Sequence, residues 1–579
     1  TVMLTPALSL KPLRQSLSPG KERTYDHSYT CSAEPSPPPK KEKESQFDSV
    51  AISTSRRALL ASGLAVAVST PDSHGHPHHM AQALVLMGQE KEDAKVADDA
   101  ILRLRSRISA FSLANGMRWI VLERHSAPVI ACHTFANVGA ALEPDGCTGV
   151  AHLLEHLAFK GTRLVGTRDA TREAAMLNQL DEAFYSLRDA NVEGNIDKVR
   201  VLEQKFKELQ ELAASLVIPN EYGTLMTREG GVGLNAQTSQ DDTEYFVSLP
   251  ANKLELWMAL ESGRFLGPVF RELYSEKEVV KEERRLRVDS APYGRFTEAF
   301  TNLSFPNLPY GRPVIGYPDD LEAIGRREVN KFFSQNYNPR SLTCAVVGDV
   351  NPLEVERLAK QYFGGWDSYA GGKRDESVKW HTNDGWNEVI RTNLERSLNL
   401  KLPAQPFYME GYYRPSSFST DDPAIAVISE LLSGGRLSRF YKNIILEGRA
   451  LSCTAVETFP GDRRPCLFLV YGVPSSGADA EALAKVLHQE LDALQSKGVN
   501  EEEIMRVKKL GRASLLELFG NNSGMAKLLC EYEATTGTCN NLFKENEFLE
   551  AVTPADVSRV ASLLFHPDNC LKGSVTTSS

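Results

Sequence analysis

The chain has 579 residues, 42% of them hydrophobic and 24% charged, enough to bury a large core and to divide into two or more domains. A net charge of −10 and a pI near 5.8 exclude nonspecific nucleic-acid binding, which depends on clustered Lys and Arg to neutralise phosphates. Nine cysteines without CxxC spacing exclude a small secreted disulfide scaffold and read as mostly buried free thiols.

Residues 1–100 are expected to be a disordered targeting region. The first fifty are rich in Ser, Pro and Lys and cannot build a core. Arg56-Arg57 then precedes an apolar run of about a dozen residues, too short for a stable membrane span, and Ala81-Gln82-Ala83 follows. A disordered Ser-rich segment, a twin arginine, a short apolar stretch and an A-x-A site together resemble a bipartite organelle signal. The expected location is the chloroplast, extending to the thylakoid lumen, with the mitochondrion as the alternative.

Regular elements begin near Ile101. Asn115-Gly116 is a turn signal ahead of a strand over 119–122, and 129–132 reads as the next strand. A short helix is expected over 149–160. The charged, amphipathic stretch 169–215 breaks at 191–195 and predicts a helical hairpin, with Leu180, Phe184 and Leu187 facing Val199, Leu202 and Phe206. It reads as a solvated surface insertion, spanning about 168–228 with its flanks.

Further along, Glu328 to Phe333 leads through Asn338-Pro339 to a strand starting at Leu342, and Asp556 to Val560 leads through Pro567 to another at Cys570. Both are a helix, a proline-marked turn and a strand, which points to an internal duplication. The expected fold class is α+β: two homologous α/β-sandwich domains in tandem over 101–365 and 387–575, joined by a linker at 366–386.

His152-Leu153-Leu154-Glu155-His156 sets two imidazoles one helical turn apart, so that both can reach a single cation, with Glu155 on the same face. With 12 histidines and 75 acidic residues in 579 positions, chance supplies this pattern only about 0.03 times. Three ionisable groups on an otherwise apolar helix need partners, which a zinc ion would provide. Catalytic zinc takes a third protein ligand, and the helical stretch 275–288 offers Glu283, spaced from Val279, Val280 and Leu286 so as to lie on an apolar stripe. Its neighbour Glu282 is expected to pair with Arg285 on the surface. Glu276, two turns before Glu283, could orient a ligand histidine or simply favour the helix N-terminus.

HLLEH is the inversion of the HExxH zinc-peptidase motif. With Glu283, with Gly149-Val150-Ala151 before it and Phe159-Lys160-Gly161-Thr162 after it, and with Asn235-Ala236-Gln237-Thr238-Ser239 ahead of Thr243 and Tyr245, the chain resembles the insulinase, pitrilysin and mitochondrial-processing-peptidase family over roughly residues 105 to 575. The resemblance implies one Zn2+ per chain held by His152, His156 and Glu283, with Glu155 as general base. It also implies a substrate-binding edge strand over 233–239 with Asn235 and Ala236 at its centre, a peptide substrate, and half of a clam shell completed by a homodimer or by a heterodimer with a related subunit.

Two departures from the family stand out. The interval from His156 to Glu283 is 127 residues, longer than usual by about the length of the hairpin. In the second half, Leu446 and Cys453 stand where many relatives carry a substrate-binding Arg and Tyr. The second departure keeps open a noncatalytic partner subunit of a processing-peptidase-like complex, and failure to bind zinc would leave a plain binding module.

Overall fold

The computed structural model describes residues 101–367, 385–386 and 396–578. The expected targeting region, with the location read from it, and most of the expected linker lie outside the described residues.

The first half opens with β1 (Ile108–Ser112) and β2 (Arg118–Glu123), antiparallel across the Asn115-Gly116 turn. Next come β3 (Val129–Ala136), α1 (Val150–Leu157), α2 (Ala170–Glu193), α3 (Ile196–Leu216), α4 (Glu221–Arg228), β4 (Val232–Thr238) and β5 (Thr243–Pro250). Helices α5 (Leu254–Leu266) and α6 (Leu273–Arg284) follow, the latter running on into a π-helical turn at Arg285–Asp289. Then α7 (Pro292–Ser304), α8 (Pro318–Ala323) and α9 (Arg326–Asn336) lead to β6 (Leu342–Gly348) and α10 (Pro352–Phe363). The second half contains β7 (Arg396–Leu402), β8 (Phe407–Arg414), α11 (Asp422–Ser433), β9 (Ala450–Phe459) and β10 (Cys466–Pro474). It ends with α12 (Ala480–Lys497), α13 (Glu501–Gly520), α14 (Asn522–Thr536), α15 (Asn541–Ala551), α16 (Pro554–Leu564) and β11 (Cys570–Thr577).

The two sheets are ordered β1-β2-β6-β3-β5-β4 and β7-β11-β8-β10-β9. Without β1 they match strand for strand, down to the parallel pair β2/β6 and its counterpart β7/β11, the other pairs being antiparallel. The duplicated helix, proline turn and strand are α9 to β6 and α16 to β11, which occupy equivalent places. This is the α+β tandem expected from the sequence.

Helices cover both faces at the middle of each sheet, so β2, β3, β6 and β10 are buried along nearly their whole length and read as largely apolar runs, whereas the outer strands β4, β7 and β9 do not. Trp119, Val121, Cys132 and Val346 face the helices of the first half. Ile120, Leu122, Phe135 and Val347 face Met525, Leu528 and Leu529 of α14, a helix of the second half. The favour is returned by α7 of the first half, whose Phe296 and Phe300 join the core of the second sheet. Gly411 and Gly573 permit that approach: a Cβ at Gly573 would stand 2.6 Å from Phe296 and 2.8 Å from Phe300. Trp386, expected to close the linker, instead belongs to the second core, buried with its indole N–H donated to Asp421 at 2.8 Å. The eight cysteines among the described residues are free, six of them buried. No helix among the described residues is long and apolar enough to cross a membrane.

The hairpin α2–α3 forms as predicted, turning at Gly194, whose φ of 69° is the left-handed region that glycine enters at little cost. It is not the solvated element expected for it. Leu177, Leu180, Phe184, Leu209 and Ala213 are buried in the first core, while the outward face of both helices and the distal end, with Val192, Ile196 and Val201, are exposed. Charged residues hid this burial, because those that turn inward have partners. Glu173 meets Arg271 at 2.7 Å, and Asp181 accepts from both Tyr274 and Arg326.

Candidate active site

In α1, Val150, Ala151, Leu153, Leu154 and Leu157 are buried, which leaves His152, Glu155 and His156 on one partly open stripe. The start of the helix is fixed from outside. Glu143 accepts N–H bonds from Gly149 and Ala151, one on each carboxylate oxygen, both at 2.9 Å, and so satisfies two of the donors that a helix N-terminus leaves free. Sequence reasoning missed Glu143. Its only signal is an acid shortly before a helix start.

Glu283 comes from the last turn of α6 and faces both histidines. Its Oε2 lies 3.6 Å from His152 Nε2 and 3.5 Å from His156 Nε2, and the three ligand atoms all fall within 4.8 Å of one another. A tetrahedral zinc with bonds of ~2.1 Å holds its ligand atoms ~3.4 Å apart, so two nitrogens and an oxygen in this arrangement fit that ion and leave a fourth position open. The apolar stripe used to single out Glu283 is only partly real: Val280 is fully buried, whereas Val279 and Leu286 are about half exposed. Glu283 sits where the buried face of α6 meets the site. Glu282 pairs with Arg285 at 2.6 Å on the surface, as expected.

The long interval between the ligands closes because the hairpin leaves the site and then buttresses the helix that returns to it. Tyr274 at the start of α6 packs against Phe184 and Phe206, one ring from each hairpin helix, and Lys277 lies over Phe184. Glu276 then reaches back to the site. Its Oε2 is 3.4 Å from His156 Nδ1 and its Oε1 is 2.5 Å from Lys160 Nζ, an arrangement that turns Nε2 of His156 toward Glu283. Arg287 occupies the outer oxygen of Glu283 at 2.8 Å. Lys160 and Arg287 were not foreseen.

Glu155 stands beside the ligands without belonging to them. Thr238, at the end of β4, donates its hydroxyl to Glu155 Oε2 at 2.5 Å, and burial nonetheless holds the Glu155 carboxyl above its ordinary pKa. Thr238 lies within the quoted Asn235 to Ser239 run, but its part in holding the acid appears only in three dimensions. Among the described residues β4 pairs with β5 alone, which makes it the edge of the sheet, with Asn235 exposed and Ala236 buried opposite Tyr245. In the second half, Leu446 is exposed after the π-helical turn Tyr441–Ile445, and Cys453 is buried in β9.

The electrostatics of the histidines lead to a prediction about metal uptake. Hydrogen bonds from His156 to Glu276 and then Glu283 push its pKa up to about 9, whereas burial and His156 push His152 down. A metal must therefore displace a proton from His156 at any pH below about 9. Zinc affinity is expected to rise ~tenfold per pH unit up to that value and then level off, with about one proton released per zinc at pH 7.5. Calorimetric titration in two buffers of different ionisation enthalpy measures the release, and an affinity flat between pH 7 and 9 would show that His156 is already neutral.

Two protein-family models match the chain: "Insulinase (Peptidase family M16)" over residues 119–198 and "Peptidase M16 inactive domain" over residues 323–510. The chain is 25% identical over 458 residues to the zinc protease PqqE of Helicobacter pylori, covering 78% of this chain and 89% of that one. It is 24% identical over 460 residues to an uncharacterized zinc protease of Mycobacterium leprae, covering 79% and 88%. Among solved structures it is similar to a protease from Helicobacter pylori, with a TM-score of 0.64 at 22% identity over 81% of this chain and 99% of that one. It also matches the periplasmic protease PqqL from Escherichia coli, with a TM-score of 0.58 at 18% identity, where 81% of this chain covers 47% of the other.

Proposed function

The chain belongs to the insulinase family, peptidase family M16, and on that premise we propose that it is a zinc-dependent metalloendopeptidase hydrolysing peptides or unfolded, presequence-like polypeptides. The observation that carries the reading is the meeting of His152, His156 and Glu283 at the spacing of a tetrahedral ion, with a carboxyl outside the ligand set beside them. Bound by those three residues, zinc would supply Lewis acidity to the scissile carbonyl and to a water. Glu155 is placed to take a proton from the attacking water and to pass it to the leaving amine, for which a carboxyl raised by burial is better matched than an exposed one. Thr238 holds Glu155 in place. An extended peptide adds to the free edge of β4 by backbone hydrogen bonds beside Asn235 and Ala236, a mode that reads shape more than sequence.

A second reading, a noncatalytic partner subunit, is favoured by Leu446 and Cys453 and by the match of the second half to a domain described as inactive. Because the chain corresponds to about half of the Escherichia coli protease, the facing half of the cavity is assigned to a second copy or to a related subunit. The deciding experiment strips the metal, adds one equivalent of zinc and follows cleavage of quenched fluorescent peptides. Cleavage is expected to appear with zinc and vanish with a chelator. Stoichiometric zinc without cleavage of any peptide, alone or with a related subunit, would sink the enzyme reading in favour of the partner subunit.

A further inference from the structure

The turn between β4 and β5 is gripped by a loop from the other half of the chain. Asp241 Oδ2 accepts from the Tyr310 hydroxyl at 2.6 Å and from the backbone N–H of Asp462 at 3.1 Å and of Arg463 at 3.4 Å. The Arg463 guanidinium, which lies over the ring of Phe135, donates to Asp242 Oδ2 at 3.0 Å, to the Asp241 carbonyl at 3.1 Å and to Asn137. The approach is close enough that a Cβ on Gly461 would collide with Asp241 and Tyr310. Asp242 is fixed in turn by Ser239, whose hydroxyl donates to it at 2.9 Å. Ser239 follows Thr238, the residue that holds Glu155.

This grip matters because of where the turn lies. Among the described residues β4 is an edge strand with one hydrogen-bonded neighbour and an irregular register between Val232 and Asn235, so its own ladder specifies its position weakly. A mostly buried guanidinium with three acceptors on the turn and the adjoining chain fixes what the ladder leaves loose. Resting on the peptidase reading, we propose that Arg463 is a positioning residue through which the second half of the chain holds the β4–β5 turn, so that Thr238 stays on Glu155 and the free edge of β4 stays aligned for substrate. The second half then acts on the reaction through the strand that receives the peptide, although it lacks the usual groups at Leu446 and Cys453.

The test compares Arg463→Ala and Arg463→Lys in the full chain, with turnover normalised to bound zinc. For Arg463→Ala, kcat/KM is expected to fall ~10–100-fold, the range for misplaced reacting groups, with KM raised as well as kcat lowered and zinc still bound one to one. Amide exchange at residues 234–238 should accelerate at least about tenfold while the central strands β6 and β10 keep their protection. Arg463→Lys, which keeps the charge but not the fork, should recover part of both effects. The proposal is overturned if kcat/KM and exchange at 234–238 stay within twofold of the native chain. It is equally overturned if protection is lost across both sheets, which would mark Arg463 as merely structural. Should the native chain cleave no peptide, the enzyme reading fails by itself, and the exchange data still decide whether Arg463 holds the strand.

Discussion

A chain carrying Glu155→Gln is expected to bind one zinc as tightly as the native protein and to cleave peptides ~10²–10⁴-fold more slowly, the usual worth of a positioned general base. The amide has nearly the same shape as the carboxylate, and its oxygen can still accept the Thr238 hydroxyl, so β4 has no reason to move. It cannot take a proton. Glu155 is outside the proposed ligand set of His152, His156 and Glu283, so metal content should not change. The loss should therefore appear in kcat, with KM near its native value, because ground-state pairing of the peptide with the edge of β4 is untouched. Retention of full turnover would remove Glu155 from the mechanism, and loss of zinc would mean that it supports the ligands instead. Either result is read from metal analysis alongside initial rates.

Arg271→Met is expected to destabilise the chain by ~3–5 kcal/mol, a large share of the stability of an ordinary domain. Arg271 is almost completely buried. It pairs with Glu173 through two bonds, at 2.7 and 2.9 Å, and donates to the carbonyls of Lys160, Thr162 and Val165. The loop after the helix of His152 and His156 is wrapped around it so closely that a Cβ on Gly166, at φ 92°, would stand 2.6 Å from the guanidinium. Removing the cation strands the Glu173 carboxylate, which cannot reach water, together with the carbonyls of Lys160 and Thr162, while that of Val165 keeps the Thr162 N–H. Arg271→Met combined with Glu173→Leu should recover part of the loss, since an apolar pair of similar volume is tolerated better than one buried charge without its partner. Urea unfolding of the two variants gives both values. A cost below about 1 kcal/mol for the single change would mean that water reaches the site and that the hairpin base is looser than its contacts imply.

What the sequence disclosed, and what it withheld, follows from the range of each interaction. His152, Glu155 and His156 were legible because a helical turn converts a spacing of three and four residues into a shared face. The duplication was legible in its helix, proline turn and strand, since such punctuation is local. Glu283 was found partly for a reason that does not hold, because Val279 and Leu286, expected beside it on a buried stripe, are exposed. The resemblance of the stretch around Glu283 to the family's pattern was the firmer guide. Glu143, Thr238, Arg271 and Arg463 gave almost no signal. Their partners lie between six and several hundred residues away, and no periodicity announces an arginine that is satisfied only by a turn in the other half of the chain. The burial of the hairpin was hidden for the same reason: Glu173 and Asp181 look solvated until Arg271, Arg326 and Tyr274 are brought to them.

The mutual covering of the two sheets has a consequence for biosynthesis. Among the described residues, the face of the first sheet that carries Ile120, Leu122, Phe135 and Val347 is closed mainly by α14, with α13 and α15 beside it; Leu529 of α14 is translated roughly 180 residues after Val347, a delay of about 10–40 s at ordinary elongation rates. Throughout that time the nascent chain displays an apolar strand surface beside the already synthesised His152, His156 and Glu283. A ribosome stalled before residue 520 should present this surface to holding chaperones, and the first half should become protease-resistant only once α14 has emerged.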